Sequence, residues 1–312
     1  MQAVILAAGK GSRLQPLTLE RSKAMMPIAG KAMITRVMEI LQQAGLQEFI
    51  VVAHPEDIEL KNLFSSNPNV KIVWQTERKG AAHALSYAAP FIQGDFVLSA
   101  CDNLVKPQEA ANFIQRFRSN THPKLSGLLS LIRVPIEKIK SMGMVVWNGE
   151  MIEHIVEKPS IDAVVSDLAS TPLYCFSASF LDYLPLIKPS KRGEYELQDA
   201  MQMLIDDTHN VHGMMFSGRW TVTDANDLLD LNLQFLSQEM QLVPELINKS
   251  IQLIQPCLFE SGVELEDNCR IGPNVLIETG SKVGKGAVLR NALVLRGATV
   301  PAGRLVQDEI FT

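Results

Sequence analysis

The amino-terminal segment carries two glycines and two basic residues at a spacing that suits phosphate chemistry. The apolar run 3–6 is followed by Ala7-Ala8-Gly9-Lys10-Gly11-Ser12-Arg13, and Lys23 comes ten residues after Arg13. Two glycines separated by one residue let backbone N–H groups approach an anion closely, and the two side chains supply cations for a triphosphate. Position 14 is Leu where a dinucleotide fingerprint has its third Gly, which argues against an NAD-dependent oxidoreductase.

Composition narrows the class of protein. The 312 residues predict roughly two domains, and 46% hydrophobic with 20% charged residues exclude a disordered chain. A net charge of −5 argues against a nucleic-acid partner. No apolar run reaches the ~18 residues of a membrane span, so no membrane partner is expected. The four cysteines are far apart without a CxxC pair, which favours buried thiols in a cytoplasmic protein over zinc or disulfides: Cys101, Cys175, Cys257 and Cys269.

Apolar runs and amphipathic stretches alternate over positions 1–235. Strands are predicted at 3–6, 49–53, 71–74 and 95–99, and helices at 31–44 and 80–92. Continuous β-branched runs between helices indicate parallel strands that are covered on both faces. We therefore predict an α/β fold, a Rossmann-like domain with a mostly parallel sheet over 1–241.

A six-residue repeat governs the carboxyl-terminal part. The apolar positions that we expect to point inward recur every six residues: Leu265, Ile271, Ile277, Val283, Leu289 and Leu295. Small or apolar residues stand two positions before each of them: Val263, Cys269, Val275, Ser281, Ala287 and Leu293. Residues expected at tight corners stand three positions after: Asn268, Asn274, Gly280, Gly286, Ala292 and Ala298. This pattern predicts a short left-handed parallel β-helix over 251–312, with coils of about 18 residues.

The segment LAAGKGSRLQPLTLERSKAMMPIAGKAM, which begins at Leu6, resembles the opening motif of the sugar-1-phosphate nucleotidylyltransferases. The match extends over the whole of this segment and includes Leu14, Pro16, Thr18 and Pro27. The resemblance implies catalytic roles for Arg13 and Lys23 on the phosphates. It also implies that the backbone from Leu6 to Gly11 frames the nucleotide, through Leu6, Ala8, Gly9 and Gly11.

Two later segments resemble the same family in the same order. Gln75-Thr76-Glu77-Arg78-Lys79-Gly80-Ala81-Ala82-His83-Ala84 resembles the base-reading segment, which implies nucleotide contacts for Gln75 and Gly80. An amide presents a donor and an acceptor together, as a pyrimidine edge requires. Phe96 to Asn103 resembles the strand that ends in Gly-Asp-Asn, which implies that Asp102 is catalytic and holds Mg²⁺. His83 is given no chemical role.

The sugar site is predicted by resemblance alone. Met142 to Val146 and Ile152 to Pro159 resemble the family segments that bind the sugar phosphate, which implies roles for Gly143, Glu157 and Lys158. Ser170-Thr171-Pro172-Leu173-Tyr174 resembles a further sugar segment and adds Thr171, although Pro172 replaces the family's Gly.

One departure concerns the metal. The family's second metal carboxylate lies in W-x-D-x-G, but here Trp220 is followed by Thr221 and Val222. Asp224 is the nearest carboxylate, and it serves either as a second Mg²⁺ ligand or as the cap of the helix that follows.

These observations favour an enzyme that transfers a nucleotidyl group from a nucleoside triphosphate, UTP or dTTP in preference, to a sugar 1-phosphate such as glucose 1-phosphate. The products would be a nucleotide-sugar and pyrophosphate. A regulatory homologue that binds nucleotide-sugar without turnover is one alternative, and a bifunctional enzyme that also transfers an acetyl group is another. All six histidines precede residue 251, which argues against acetyl transfer by the tail. The tail is short, and we expect it to support a homo-oligomer.

Overall fold

The computed structural model describes residues 1–119, 124–238 and 250–312. The chain divides into two compact units: the first comprises Met1–Lys10 and Val37–Trp220, and the second Gly11–Arg36 and Thr221–Thr312. The predicted boundary between 241 and 251 falls almost wholly outside the described residues. The segment 11–36 belongs to the same unit as the carboxyl-terminal part, which the sequence patterns do not indicate.

The helices and strands alternate through the first unit, and short strands fill the end of the chain. In chain order they are β1 (Gln2–Leu6), β2 (Pro27–Ile28), β3 (Lys31–Ala32), α1 (Met33–Gln43), β4 (Phe49–Ala53), α2 (Ile58–Phe64), β5 (Val70–Trp74), α3 (Ala81–Ala88), β6 (Phe96–Ala100), α4 (Pro107–Ser119), β7 (Gly127–Arg133), α5 (Ile136–Ile139), β8 (Gly143–Trp147), β9 (Ile152–Glu157), β10 (Leu168–Phe176), α6 (Leu197–Thr208), β11 (Val211–Met215), α7 (Ala225–Leu236), β12 (Gln252–Leu253), β13 (Cys257–Phe259), β14 (Glu264–Leu265), β15 (Arg270–Ile271), β16 (Val275–Ile277), β17 (Lys282–Val283), β18 (Val288–Val294), β19 (Thr299–Val300) and β20 (Leu305–Phe311).

The first unit is built on one mixed sheet with the order β11-β7-β10-β6-β1-β4-β5, to which the β8–β9 hairpin is added through β10. The strands β6, β1, β4 and β5 are parallel, as predicted. β10 is antiparallel to both of its neighbours, β6 and β7. All five residues of β4 are buried, as expected for a strand whose two faces are covered. The seven strands of this order are therefore mostly parallel, with β10 alone antiparallel to the rest, and the hairpin adds β9 as a second antiparallel strand.

The carboxyl ends of the parallel strands bring the predicted nucleotide residues to one edge of this sheet. The chain passes from β1 outward to β4 and β5 and then returns to β6 on the other side of β1. Cys101, just beyond β6, donates its N–H to Leu6 O at the end of β1 at 3.1 Å. Gln75, just beyond β5, donates its N–H to Ala53 O at the end of β4 at 2.8 Å. In open α/β sheets ligands bind at such a reversal of strand order.

The carboxyl-terminal strands pair in parallel with strands one predicted coil further along the chain. Cys257 pairs with Val275 and Glu264 with Lys282, and both steps equal three of the six-residue repeats. Val275 then pairs with Ala292, a step that is one position shorter. The interior contains a column of apolar side chains that includes Ile271, Ile277, Val283 and Leu289. Ala292 pairs with Glu309, which is again one position short of the predicted coil. Parallel pairing at the predicted repeat length is thus present in the first coils, and the later steps are one position shorter.

The shortened step corrects the predicted register near the end of the repeat. The corners at Asn268, Asn274, Gly280 and Gly286 have positive φ, as predicted, but the next two corners are Asn291 and Gly297. Ala292 and Ala298, which we predicted at corners, are buried instead. The pairing partner of Ile277 is Val294, so Val294 takes the inward place predicted for Leu295. A corner with positive φ favours Gly or Asn over Ala.

No helix among the described residues is long and apolar enough to cross a membrane. The four cysteines are free and buried, as predicted.

Candidate active site

The two glycines of the opening motif have different structural roles. Gly11 has φ 64° and precedes the 3-10 helix Ser12–Leu14. A Cβ at Gly11 would lie 3.1 Å from Cβ of Lys23 and 3.2 Å from Cγ2 of Thr18. Thr18 Oγ1 also donates to Gly11 O at 2.8 Å. Gly9, in contrast, is exposed, and a Cβ there would meet no atom within 4 Å. Gly11 therefore shapes the turn, whereas Gly9 leaves open space beside the backbone.

The two predicted phosphate cations lie in the second unit. Arg13 is exposed, on the 3-10 helix that follows Gly11, and Lys23 is half-buried at the start of the 3-10 helix Lys23–Met25. Lys23 lies so close to the turn that a side chain at position 11 would crowd its Cβ. This arrangement needs Gly at position 11 for both its φ and its space.

The predicted base-reading residue is held by its own segment. Gln75 is buried, and its Nε2 lies 2.9 Å from Nδ1 of His83 and 3.5 Å from Gly80 O. The amide donates to Nδ1 when the imidazole carries its proton on Nε2. The His83 ring in turn stacks on Tyr195 with a centroid distance of 6.0 Å. His83 therefore orients Gln75, a role that the sequence reasoning did not assign.

Gly80 packs closely against the chain near Tyr195. Its φ is 103°, and a Cβ would lie 2.6 Å from the carbonyl oxygen of Tyr195. Tyr195 N donates to Lys79 O at 2.7 Å, and Ala82 N donates to Tyr195 O at 3.1 Å. The chain at Tyr195 thus supports the base-reading segment.

Asp102 follows β6 and is half-buried. Asn103, beside it, is buried, and its Nδ2 has no hydrogen-bond partner among the described residues. Arg219 Nη1 donates to Asn103 Oδ1 at 3.5 Å. Burial lowers the pKa of Arg219, and the nearby negative charge of Asp102 opposes that shift. The structure therefore adds one cation and one unsatisfied amide donor to the surroundings of Asp102.

The predicted sugar-phosphate carboxylate is paired with two cations. Glu157 Oε1 lies 3.2 Å from Lys158 Nζ and 4.0 Å from Arg192 Nη2. Burial raises the pKa of the Glu157 carboxyl, although both cations act to lower it. Arg192 also donates to Glu196 Oε1 at 2.7 Å. Glu157 and Lys158 are brought together as predicted, and Arg192 is an addition.

Gly143 has little room beside it. A Cβ would lie 2.8 Å from Ser170 Oγ and 3.1 Å from Gln198 Nε2. Thr171 is buried, and its hydroxyl forms a hydrogen bond with that of Ser130. The Thr171 hydroxyl is therefore engaged within the sheet, and its predicted contact with the sugar phosphate stays a prediction.

Pro172 lies where the ladder between β10 and β7 is irregular. The register shifts between Thr171 and Tyr174, and proline, which has no backbone N–H, is tolerated at such a bulge. Tyr174 is buried, and burial raises the pKa of its hydroxyl to about 12. Pro172 thus sits at a break in the sheet pairing that the sequence did not indicate.

Asp224 caps helix α7. Its side chain accepts from Asp227 N at 3.0 Å, and Asp227 Oδ2 accepts from Thr223 N and Asp224 N at 2.7 and 3.3 Å. This is a reciprocal capping box, one of the two roles that the sequence left open. Val222 is fully buried. Within the described ranges no group of three or more His, Cys, Asp or Glu could hold a metal ion.

Several site residues escaped the sequence reasoning. Arg219 directly precedes the Trp220 of the metal-site motif, and Gln198 is the second residue of α6. The sequence shows that Arg219 is next to a motif, but it carries no information on the direction of the side chain. Only folded geometry places Arg219 beside Asn103.

Known proteins resemble this chain in both sequence and fold. A family profile described as Nucleotidyl transferase matches residues 2–238. The chain is 28% identical over its whole length to a glucose-1-phosphate thymidylyltransferase of Streptomyces griseus, of which it covers 92%. It is 29% identical over its whole length to the bifunctional protein GlmU of Methanococcus maripaludis, of which it covers 77%.

A third relative is the UTP–glucose-1-phosphate uridylyltransferase AglF of Haloferax volcanii, 31% identical over 70% of this chain and 89% of the relative. Among solved structures, a UDP-glucose pyrophosphorylase in complex with UDP-glucose superposes with a TM-score of 0.68 and 21% identity, over 76% of this chain and 99% of the other. That likeness supports the α/β fold of the sheet-bearing part. Because the family profile spans most of the sequence and the opening motif lies within it, the chain belongs to the nucleotidyl transferase family.

Proposed function

We propose that the protein transfers a nucleotidyl group from a nucleoside triphosphate to a sugar 1-phosphate and releases pyrophosphate. The observation that carries the proposal is the motif from Leu6 to Lys23, which follows a central parallel strand and makes a left-handed turn at Gly11 against Lys23. Backbone N–H groups and two cations at such a turn suit a triphosphate. Relatives named for the thymidylyl and uridylyl versions of this reaction support the same class.

In the proposed mechanism the sugar phosphate oxygen attacks the α-phosphorus in line, and pyrophosphate leaves. No covalent intermediate with the protein is needed, so positioning and charge neutralisation supply the rate. Arg13 and Lys23 neutralise the charge that develops on the phosphates. The backbone of Leu6, Ala8, Gly9 and Gly11 frames the nucleotide, and the open space beside Gly9 admits it.

The base is proposed to be uracil or thymine. Gln75 Nε2 faces His83, which leaves Gln75 Oε1 to accept from the N3–H of the base. Gly80 contributes its backbone beside the same ring. The preference for UTP or dTTP over GTP stays a prediction, because the N1–H of guanine is also a donor for this oxygen.

The sugar phosphate is proposed to resemble glucose 1-phosphate. Glu157 accepts from a sugar hydroxyl, Lys158 binds the phosphate, and the backbone of Gly143 and Thr171 contacts the hexose. The pairing of Glu157 with Lys158 at 3.2 Å supports these roles because it presents an acceptor and a cation side by side.

Mg²⁺ is the proposed cofactor, with Asp102 as its protein ligand. The donor set fits, because Mg²⁺ is usually held by one or two carboxylates together with substrate phosphates and water, and Asp102 is half-buried at a strand end. When bound, the ion would neutralise phosphate charge. Asp224 is engaged in the capping box of α7, so we give it only a minor part in metal binding.

The carboxyl-terminal strands are proposed to form a left-handed parallel β-helix over 251–312, following a nucleotidyltransferase domain over 1–241. The parallel pairing of strands one predicted coil apart supports this assignment. Hexapeptide acyltransferases use a histidine base on the β-helix, and this segment contains no histidine. We therefore expect no acetyl transfer, although GlmU relatives are bifunctional by name. A homo-oligomer, a cytoplasmic location and the absence of nucleic-acid and membrane partners stay predictions.

The test is a panel of UTP, dTTP, GTP and ATP against glucose 1-phosphate and N-acetylglucosamine 1-phosphate with Mg²⁺, with pyrophosphate release as the readout. We expect turnover with UTP or dTTP. Binding of nucleotide-sugar with no pyrophosphate release under any condition would favour a regulatory homologue instead. Acetyl transfer from acetyl-CoA to glucosamine 1-phosphate would establish the bifunctional alternative.

A further inference from the structure

A buried carboxylate of the carboxyl-terminal strands is paired with the amino-terminal segment of the same unit. Glu278, the residue after β16, is 4% exposed. Arg21 Nη1 donates to its two oxygens at 2.8 and 3.0 Å, and Arg296 N donates to Oε2 at 3.1 Å. The side chains of Arg21 and Glu278 are 10% and 5% exposed. This ion pair therefore joins residues that are 257 positions apart.

A buried ion pair of this kind contributes little net stability to the folded protein. Removing two charges from water largely offsets their attraction, and apolar replacements are often as stable. Other ion pairs of this part of the chain, Lys282 with Glu264 and Arg304 with Glu309, are at least 38% exposed. The Arg21–Glu278 pair is far more buried than these two. A buried pair fixes one geometry because each partner is costly to leave alone.

The same segment is held at a second point, further along the chain. Asn232, on α7, is 1% exposed. Its Oδ1 accepts from Ala29 N at 2.8 Å, and its Nδ2 donates to Pro27 O at 2.8 Å. Gly30 in the same turn has φ 77°, and a Cβ there would lie 2.7 Å from Cδ2 of Leu258 on β13. The turn between β2 and β3 is thus seated on α7 and on the outer face of the carboxyl-terminal strands.

Lys23 lies between these two anchors. Arg21 precedes it by two residues, and Pro27 follows it by four. We infer that Glu278 is a positioning residue for nucleotidyl transfer, holding Lys23 in place through Arg21. The inference rests on the proposed function for the role of Lys23. On this inference the carboxyl-terminal strands assist the reaction by positioning Lys23, and none of their residues contacts the reacting atoms.

The test is a double-mutant cycle on the full chain with Glu278→Gln, Lys23→Ala and their combination. Glu278→Gln keeps an acceptor for Arg296 N but removes the charge that holds Arg21. We expect it to lower kcat about tenfold to a hundredfold, with a smaller change in KM, and to have no further effect in the Lys23→Ala background. Equal losses in both backgrounds would overturn the inference.

Two further variants separate positioning from stability. Glu309→Gln, which removes the partner of exposed Arg304, is the control and should retain the parent's kcat. Arg21→Met combined with Glu278→Gln removes both charges of the pair, so that neither partner is left buried without the other. If its thermal midpoint matches the parent's, we still expect the loss of kcat, and a parental kcat would overturn the inference.

A second readout is independent of activity. Amide hydrogen exchange should accelerate in residues 21–29 of Glu278→Gln but not of Glu309→Gln. If the parent releases no pyrophosphate with any substrate pair, the proposed function fails. In that case the rate of amide hydrogen exchange in residues 21–29 decides whether Glu278 holds this segment. An unchanged exchange rate in Glu278→Gln would overturn the inference, whichever reaction the protein catalyses.

Discussion

The two glycines of the opening motif should respond oppositely to the same substitution. Gly11→Ala places a methyl group 3.1 Å from Cβ of Lys23 and 3.2 Å from Cγ2 of Thr18, at a residue whose φ is 64°. Gly9→Ala places the methyl group where no protein atom lies within 4 Å. Gly11→Ala should therefore disturb the folded protein, whereas Gly9→Ala should disturb only the approach of a nucleotide.

The magnitudes follow from these contacts. A left-handed conformation costs a residue with a Cβ about 1–2 kcal/mol, and the close contacts add about 1 kcal/mol of crowding. For a chain of this size each kcal/mol corresponds to roughly 2–4 °C in thermal midpoint. Gly11→Ala should therefore lower the midpoint by about 4–12 °C. Gly9→Ala should leave it unchanged or raise it slightly, because Ala restricts the unfolded chain.

Calorimetry and steady-state kinetics on both variants test this contrast. We expect Gly11→Ala to lose stability and kcat together, because the methyl group displaces Lys23. Gly9→Ala should keep its stability and raise KM for the nucleoside triphosphate. Equal thermal midpoints for the two variants would refute the structural reasoning, and an unchanged KM in Gly9→Ala would refute the proposed nucleotide contact.

The remaining predictions concern the charged and base-reading groups. Arg13→Ala and Lys23→Ala should each lower kcat by about a hundredfold or more, because each removes a cation aimed at transition-state charge; parental turnover in either would refute its role. In a Mg²⁺ titration Asp102→Asn should abolish turnover and Asp224→Asn should lower thermal stability more than activity, since Asp224 caps α7; the reverse order would refute the metal assignment. Gln75→Leu should lower kcat/KM for UTP roughly tenfold to a hundredfold, and equal rates of the parent with UTP and GTP would contradict the base assignment.

The sequence was most informative where one side-chain pattern implies one backbone form. The strands β1, β4, β5 and β6 were predicted because short, continuous apolar runs are typical of strands covered on both faces. The repeat was predicted from the six-residue spacing of its apolar and corner residues, and the predicted corners are confirmed up to Gly286. Beyond that point apolar periodicity alone could not choose between Val294 and Leu295. The corners with positive φ at Asn291 and Gly297 fix the register, and they place Val294 inward.

Contacts between residues that are far apart along the chain could not be predicted from the sequence. The pairing of Arg21 with Glu278 and the seat of Ala29 on Asn232 depend on which surfaces meet in the folded unit. The sequence also left two roles open for Asp224, and the structure shows the cap. The grouping of 11–36 with the carboxyl-terminal strands is a consequence of such contacts, so local patterns could not predict it.

The central claim is that this chain makes a nucleotide-sugar and pyrophosphate from a nucleoside triphosphate and a sugar 1-phosphate. The most direct measurement is mass-spectrometric detection of the nucleotide-sugar with enzymatic quantification of pyrophosphate, in one reaction with UTP, glucose 1-phosphate and Mg²⁺, repeated with dTTP. We predict that the two products form in equal amounts, that both require both substrates, and that Lys23→Ala suppresses both together. Nucleotide-sugar that binds to the protein while neither product forms would contradict the account.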